Sequence, residues 1–422
     1  MLGIIIDNWL PLEIKWHGYN IATIAICCYL LSIILRIIVF GLQYRAQYYA
    51  VKKEMIDIMP VKDINKATIY EQAKLRFKIF SLVYEMVKGF VILNKLNVIL
   101  ALSNKIYYIN TSGMFFLIIF LIDQITSIPL SLYHDFVLEA KFGYNKKTFA
   151  IWIYDLFIMT GIFSIITIIL YSGLSYLISK FSVFYIYAGI FITLFKIFLY
   201  TIYPTVIAPI FNKFTPMDPE SDIYKKILVL ANKIDFNIEA ILIMDGSKRS
   251  NHSNAYFTGF GKIKKIIFFD TLLAQIKVED QILAVLCHEF GHFKKYHLWK
   301  ILTMDTIFLF IGLFLFNNFF RILNVEMPIL IYFFTLLLSP TYFLLSIIRN
   351  FIIRQFEKEA DMFAIQFNYG EQLIEALKIL TLENTTTLKL NKLYSLLFLT
   401  HPGIIERIEF IKNNLTIYKK SK

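Results

Sequence analysis

Two histidines and a glutamate have the spacing of a metal site with a proton carrier beside it. His288 and His292 are four residues apart, and Glu289 directly follows the first of them. On a helix this spacing places both imidazoles on the same face, where both can bind one metal ion. Zinc suits such a pair, because a catalytic zinc site takes three protein ligands and leaves one position open for water. Glu289 can take a proton from that water, so the segment predicts a zinc-dependent hydrolase.

The third metal ligand must come from another part of the chain, and residues 354–361 have helical character. Glu357 and Asp361 lie one turn apart on the same face, so Glu357 can bind the metal while Asp361 orients a ligand histidine through its ring N–H. Glu359 points to the other side of the helix, where a solvated charge is the simpler interpretation. His297 lies five residues beyond His292, off the metal-binding face, and it is predicted to lie at the surface. We therefore expect one zinc ion per chain.

The composition places these residues in a membrane protein. Of the 422 residues, 57% are hydrophobic and only 18% are charged, which is too apolar for an ordinary soluble domain. The formal charge of +12 comes from Lys and Arg residues that lie mainly between apolar stretches. There they would face an anionic membrane surface, so nucleic acid is not an expected partner. Cys27, Cys28 and Cys287 offer no disulfide framework and no Cys-rich zinc module.

Seven apolar stretches are long enough to cross a bilayer, which takes about 20 residues of helix. They cover approximately residues 20–42, 77–102, 113–133, 156–179, 181–203, 301–323 and 327–348. The second is the weakest, because it contains Glu85, Lys88, Asn94 and Lys95. It is either a helix turned toward a protein-lined interior or no span at all. Residues 1–18 lack the pattern of a signal peptide, so the first span is expected to stay in the protein.

Basic residues in the connections predict the orientation. The loops after the first and third spans are rich in Lys and Arg, whereas the second, fourth and sixth connections are short and poor in them. The N-terminus should therefore lie outside, and residues 204–300 and 349–422 should both emerge in the cytoplasm. The predicted organisation is a five-span region at 1–203, a first metalloprotease part at 204–300, two spans at 301–348 and a second metalloprotease part at 349–422.

The first metalloprotease part contains the signals of a small β-sheet between helices. Helical spacing covers 221–232 and 271–296, and a short apolar strand covers 240–244. Residues 254–260 and 264–269 are predicted to form a pair of β-strands joined by a turn near 259–261. The second part begins with a helix over 349–368. The predicted fold class is a mainly α, polytopic membrane protein with a zinc metalloprotease domain.

Several motifs resemble the integral-membrane type I CAAX prenyl protease family. Besides the zinc motif, they are DGSKRS at 245–250, HSNAYF at 252–257, FDTLL at 269–273, EKEAD at 357–361 and HP at 401–402. Earlier segments, SLY at 131–133, KFGYN at 141–145 and APIFNKFTP at 208–216, also resemble the family. The resemblance extends over about the whole chain. It implies seven helices around an intramembrane chamber, into which the zinc site faces.

Family resemblance also implies a substrate and a set of roles. The substrate would be a peptide or protein with an isoprenylated cysteine, cut near its C-terminus with removal of the last three residues. The zinc ligands would be His288, His292 and Glu357, with Glu289 as general acid and base and Asp361 as support. Asn254, Ala255 and Tyr256 would pair with an extended substrate. His401 would stabilise the oxyanion, and Arg407 would be an active-site arginine, which we group with the substrate-binding residues.

The sequence leaves the substrate and the host membrane open. Only residues 324–326 separate the last two spans, where eukaryotic family members commonly have a longer insertion. The membrane would be the endoplasmic reticulum in a eukaryote or the inner membrane in a bacterium, and Lys419-Lys420 would be a retrieval signal or a basic tail.

The alternative function is a heat-shock-type membrane metalloprotease, which has fewer spans. A membrane scaffold or channel with a vestigial protease site is a second alternative, and a transporter would rest only on the number of spans. We expect a monomer.

Overall fold

Long helices dominate this computed structural model, which describes residues 15–16, 19–106, 109–258, 264–320 and 325–421. A short pair of strands, β1 (Lys15–Trp16) and β2 (Tyr19–Asn20), precedes the first helix. The helices of the first half are α1 (Ile21–Ala46), α2 (Lys53–Ile56), α3 (Val61–Asn104), α4 (Thr111–Leu132), α5 (Ala140–Phe142), α6 (Phe149–Lys180), α7 (Phe184–Ile202) and α8 (Ala208–Phe211). Between them, Tyr133–Glu139 and Tyr203–Ile207 are π-helical.

Two further long helical stretches follow the first peptidase segment. They are α12 (His297–Phe320) and a consecutive pair, α13 (Met327–Leu337) and α14 (Ser339–Gln366). Among the described residues, six helical stretches are long and apolar enough to cross a bilayer, and α13 with α14, bent by 51°, makes a seventh if the two form one span. The predicted mainly α, polytopic membrane fold is therefore confirmed.

The weakest predicted span belongs to a helix of 44 residues, α3, which begins well before the apolar stretch. Its Lys88 pairs with one acidic residue on the same helix and one on the neighbouring helix. The Lys88 ammonium lies 2.5 Å from the Glu85 carboxylate and 2.5 Å from the Asp123 carboxylate of α4. Burying a charge is costly unless an opposite charge accompanies it, so this pairing explains how α3 tolerates lysine in an apolar stretch.

The peptidase part contains a four-stranded sheet with the order β3-β4-β6-β5. The strands are β3 (Phe214–Pro216), β4 (Ala240–Met244), β5 (Ala255–Thr258) and β6 (Lys265–Phe269). β4 and β6 run parallel, while β5 pairs antiparallel with β6 at the edge of the sheet. The predicted strand and the predicted β-pair thus have the expected positions, whereas the predicted turn near 259–261 lies outside the described residues.

The helices around this sheet are α9 (Asp222–Lys233), α10 (Asp270–Gln275), α11 (Glu279–Lys294), α15 (Gly370–Glu383), α16 (Lys392–Phe398) and α17 (Ile404–Ser421). One apolar core joins residues from both polar stretches, including Ile227, Phe268 and Phe290 from the first and Ile365 and Ile411 from the second. The two stretches, although separated by membrane helices, therefore pack together.

The single helix predicted over 271–296 is two helices in the structure. α10 ends at Gln275 and α11 begins at Glu279, with Ile276 and Val278 in extended conformations between them. Both residues are β-branched and favour extended backbone, and Ile276 is buried in the apolar core. Glu279 and Asp280 then occupy the first turn of α11, where their charges complement the helix dipole.

Candidate metal centre

The two helices that carry the predicted metal ligands are in very close contact. A Cβ atom added at Gly291 of α11 would lie 2.9 Å from the Ala360 Cα of α14 and 2.9 Å from the Phe363 Cβ. Any larger residue at 291 would push the helices apart. The glycine between the two histidines therefore lets α14 approach, which brings Glu357 to the histidine face of α11.

Three donor atoms converge at this contact. The His288 and His292 Nε2 atoms are 3.1 Å apart, and Glu357 places one carboxylate oxygen 3.5 Å from the first and the other 3.2 Å from the second. Zinc bonds of about 2.0–2.1 Å to nitrogen and oxygen put neighbouring ligands of a tetrahedron about 3.3–3.4 Å apart. The spacing of the two nitrogens and of each nitrogen from the nearer Glu357 oxygen is close to this value, so the two imidazoles and one carboxylate oxygen could bind one zinc ion.

The electrostatics of the donor set also favour a cation. Burial lowers the pKa of the His288 imidazole, but hydrogen bonds to Asp361 and Glu357 outweigh burial and raise that pKa to about 9. The buried Glu357 Oε2 has only long contacts, at 3.5 Å to the His288 Nε2 and 3.7 Å to the Arg407 Nη1. A buried carboxylate oxygen without a close donor is costly. A metal ion bound to His288 and Glu357 would supply the positive charge that the imidazole site favours and would also be a partner for the carboxylate oxygen.

Behind His288, two charged residues hold the ring. The Asp361 Oδ1 lies 2.9 Å from the His288 Nδ1, on the side of the ring opposite the metal face. Arg407 donates two hydrogen bonds to the Asp361 carboxylate, at 3.0 and 2.6 Å, and is itself buried. This geometry would fix the tautomer of His288 with Nε2 free for a metal. The position of Arg407 suits a supporting role better than direct contact with substrate.

Behind His292, the structure reveals a partner that the sequence analysis did not predict. His297 is 1% exposed, and its Nδ1 lies 3.0 Å from the His292 Nδ1, while its Nε2 lies 3.1 Å from a Glu359 carboxylate oxygen. The prediction of a surface histidine is wrong, because the chain does not continue as one helix. Tyr296 has a φ of 57°, which ends α11 and turns the backbone. His297 is therefore the first residue of α12 and lies next to the His292 ring.

We expect His297→Phe to weaken zinc binding about 10–100-fold, the usual cost of losing the partner of a ligand histidine. The phenyl ring would keep the stacking on Phe356, whose ring centroid is 4.3 Å from that of His297. It would, however, leave the His292 Nδ1–H without an acceptor. Competition with a chelator measures the affinity.

The matched control is His297→Asn, whose amide oxygen can accept the same hydrogen bond, and which should bind zinc more tightly than the phenylalanine variant. If His297→Phe folds and holds zinc as tightly as the unchanged chain, His297 does not orient the ligand.

Glu289 and His401 lie at the accessible side of the donor set. Glu289 is half-buried and, with His292, lines a cavity of about 1070 Å³. Burial raises the pKa of its carboxyl above the usual range. His401 lies in the connection between α16 and α17, with its Nδ1 3.6 Å from the Glu357 Oε1 and its side chain 61% exposed. Both residues are therefore placed where a substrate can reach them.

The predicted substrate strand forms one edge of the sheet. Ala255 and Tyr256 belong to β5, which has β6 on one side and no other strand among the described residues on the other. Tyr256 lines the same cavity as Glu289 and His292. The Asn254 carbonyl accepts a hydrogen bond from the Phe269 N–H at 3.0 Å, which continues the pairing beyond the strand. The structure thus brings this strand, Glu289 and His292 to one cavity.

Two protein-family models match consecutive parts of the chain. Residues 42–213 match the model described as CAAX prenyl protease N-terminal, five membrane helices. Residues 218–415 match the model of peptidase family M48. The second match contains all three metal donors, Glu289 and the edge strand.

Relatives and a solved structure agree with these matches. The chain is 37% identical to the CAAX prenyl protease 1 homolog of Arabidopsis thaliana, over 68% of this chain and 70% of the relative. It is 32% identical to CAAX prenyl protease 1 of Saccharomyces cerevisiae, over 82% and 84% of the two chains. The human CAAX prenyl protease 1 homolog is 31% identical over 86% of this chain and 88% of its own length. The crystal structure of S. mikatae Ste24p matches with a TM-score of 0.88 and 29% identity, covering 94% of this chain and 100% of that chain.

Proposed function

Because the chain belongs to the CAAX prenyl protease family of M48 membrane metallopeptidases, we propose that it is a zinc-dependent endopeptidase that cleaves isoprenylated substrates near their C-terminus. The observation that carries the zinc assignment is the convergence of two imidazole nitrogens and one carboxylate within 4.8 Å, next to a glutamate that faces a cavity. Two imidazoles and one carboxylate form a common ligand set of catalytic zinc.

Each residue of the site has a separate role in the proposed reaction. When bound, zinc would acidify a water molecule and polarise the scissile carbonyl. Glu289 takes the proton of the water and later gives it to the leaving amine, for which its raised pKa suits it. His401 donates a hydrogen bond to the developing oxyanion from the exposed side of the site. Asp361 and Arg407 keep His288 in place.

The edge strand β5 would hold the peptide. Backbone N–H and C=O groups on the free edge can pair with an extended segment whatever its side chains are. Ala255 would supply these groups, because in an antiparallel ladder alternate residues face opposite sides and the Asn254 carbonyl already bonds to β6. Asn254 and Tyr256 flank it, and the Tyr256 side chain lines the cavity. Such binding places a peptide bond along the cavity wall that contains Glu289.

The membrane setting supports a substrate that is itself attached to a bilayer. Six to seven candidate spans among the described residues carry the peptidase part, and the relatives named above are prenyl proteases. We further propose that both peptidase parts face the cytoplasm, because the basic loops lie on that side of the predicted topology. The protein would act as a monomer in the endoplasmic reticulum or a bacterial inner membrane. The intramembrane chamber implied by the family stays a prediction.

The purified protein should cleave a farnesylated peptide with a kcat/KM at least about tenfold higher than that for the same peptide without the lipid, since each buried methylene stabilises binding by about 0.8 kcal/mol. Mass spectrometry of the products identifies the bond that is cut, and we expect release of the last three residues. A Glu289→Gln preparation is the control for contaminating peptidases.

Equal cleavage of both peptides at internal positions would favour the heat-shock-type alternative. The match of residues 42–213 to a model with five membrane helices argues against that alternative.

A further inference from the structure

The ring of His401 has only long contacts with its neighbours. It lies in residues 399–403, which connect α16 to α17. The His401 Nδ1 is 3.3 Å from the Thr400 hydroxyl and 3.6 Å from the Glu357 carboxylate, and 61% of the side chain is exposed. Both distances exceed the roughly 2.7–3.2 Å of a good hydrogen bond. The position of His401 therefore depends on how the two flanking helices are held.

Arg354 contacts both of these helices. Its Nη1 donates hydrogen bonds to the Ser395 carbonyl at 3.1 Å and to the Ser395 hydroxyl at 2.7 Å, in the last turn of α16. Its Nη2 donates to the Glu406 carboxylate at 2.7 Å, in the first turn of α17. The Arg354 side chain is 13% exposed and Ser395 is buried, so water competes little for these contacts. One side chain thus joins the two ends of the His401 connection.

Arginine is suited to such a bridge. Its guanidinium is planar and holds several N–H donors in a fixed fork, so it can bind two acceptors in different directions at the same time. The Ser395 carbonyl, which also accepts from the Leu399 N–H at 3.2 Å, lies where a helix end favours a cation. Glu406 adds an opposite charge on the second helix. A lysine ammonium lacks the fork and would hold the two helices less firmly.

The bridge starts from the helix that supplies the third metal donor. Arg354 lies three residues before Glu357 on α14, a spacing that places both side chains on the same face. One turn earlier, the Asn350 side chain donates to the Leu397 carbonyl at 2.7 Å, so this face contacts α16 twice. The distance between His401 and the donor set is therefore set through α14.

We propose that Arg354 is a positioning residue for the reaction, which joins α16 to α17 and so holds the His401 imidazole where the oxyanion develops. The inference rests on the proposed function, which gives His401 its role. Arg354 acts through His401 and not by contact with the reacting atoms. A displacement of about 1 Å in such a group can lower turnover on the order of 10²-fold.

Arg354→Met should lower kcat for the farnesylated peptide by about 10–100-fold, with KM changed less than about threefold and zinc content unchanged. Methionine keeps an apolar stem but makes neither hydrogen bond. Arg354→Lys should retain more of kcat than Arg354→Met. The matched control is Arg349→Met on the same helix, where the guanidinium pairs with Asp305 of α12 at 3.2 Å. This control should keep kcat within about twofold, because a partly exposed ion pair contributes little.

A double-mutant cycle with His401→Ala separates positioning from a general structural role. In the His401→Ala protein, Arg354→Met should lower kcat by less than about threefold, since the group that it positions is gone. Equal losses with and without His401 would overturn the proposal. So would loss of zinc in Arg354→Met, or an unchanged kcat in His401→Ala.

Amide hydrogen exchange over residues 395–407 tests the bridge without turnover. Exchange should be faster in Arg354→Met than in the wild type and in Arg349→Met, and unchanged exchange would overturn the proposal. If Arg354→Met does not fold, Glu406→Gln weakens one end of the bridge, and unchanged exchange and kcat in that variant would overturn the proposal equally. Failure of the proposed function is distinguishable, since the wild type would then show no preference for the farnesylated peptide, whatever the exchange shows.

Discussion

Glu289→Gln should lower kcat by on the order of 10³-fold while the protein keeps its zinc, because general-base catalysis contributes roughly 10²–10⁴-fold. Glutamine has nearly the shape of glutamate but cannot accept a proton from water. Glu289 lies beside His288 on α11 and is not one of the three converging donors. Its loss should therefore remove the proton carrier and leave the metal site intact.

Single-turnover cleavage of the farnesylated peptide, together with elemental analysis of zinc, measures both effects on the same preparation. The matched control is Glu279→Gln, at the N-terminal end of the same helix, where the carboxylate pairs with Lys226 at 2.7 Å. That variant should retain kcat. A Glu289→Gln protein that keeps more than about a tenth of the activity would assign proton transfer to another group, and one that loses its zinc would make Glu289 a ligand.

Glu357→Ala should weaken zinc binding by more than about 100-fold. Loss of an outer partner of a ligand already costs about 10–100-fold, and Glu357 supplies a donor atom itself. Its two oxygens lie 3.5 and 3.2 Å from the two imidazole nitrogens, and its side chain is almost completely buried. Alanine would leave the two imidazoles without the carboxylate donor, and two protein ligands hold zinc poorly.

Helical periodicity alone predicts which side chains share a helix face in the candidate metal site. Four-residue spacing defines one face of α11, and the same spacing of Glu357 and Asp361 defines one face of α14. The structure places both faces together, with Asp361 behind the first histidine as the pattern predicted. The roles of these residues in catalysis stay predictions until they are tested.

His297 shows where periodicity fails. Extrapolation along one continuous helix puts this residue on the wrong face, but Tyr296 adopts a left-handed conformation and ends the helix. Tyrosine gives little sequence signal for such a turn, because the position is usually glycine or asparagine. The hydrogen bond from His292 to His297 and on to Glu359 depends on this local break. His401 and Arg407 were identified through family resemblance alone, since neither has a spacing that indicates a site.

The most direct test of a three-ligand zinc centre compares the zinc content of Glu357→Ala and Glu359→Ala with that of the wild type. The two glutamates lie two residues apart on α14, but Glu359 is 45% exposed and contacts His297, not the donor set. We expect one zinc per chain in the wild type, most of that zinc in Glu359→Ala and almost none in Glu357→Ala after dialysis against a chelator. Full zinc in Glu357→Ala with loss in Glu359→Ala would contradict the assignment of the third ligand and the catalytic site built on it.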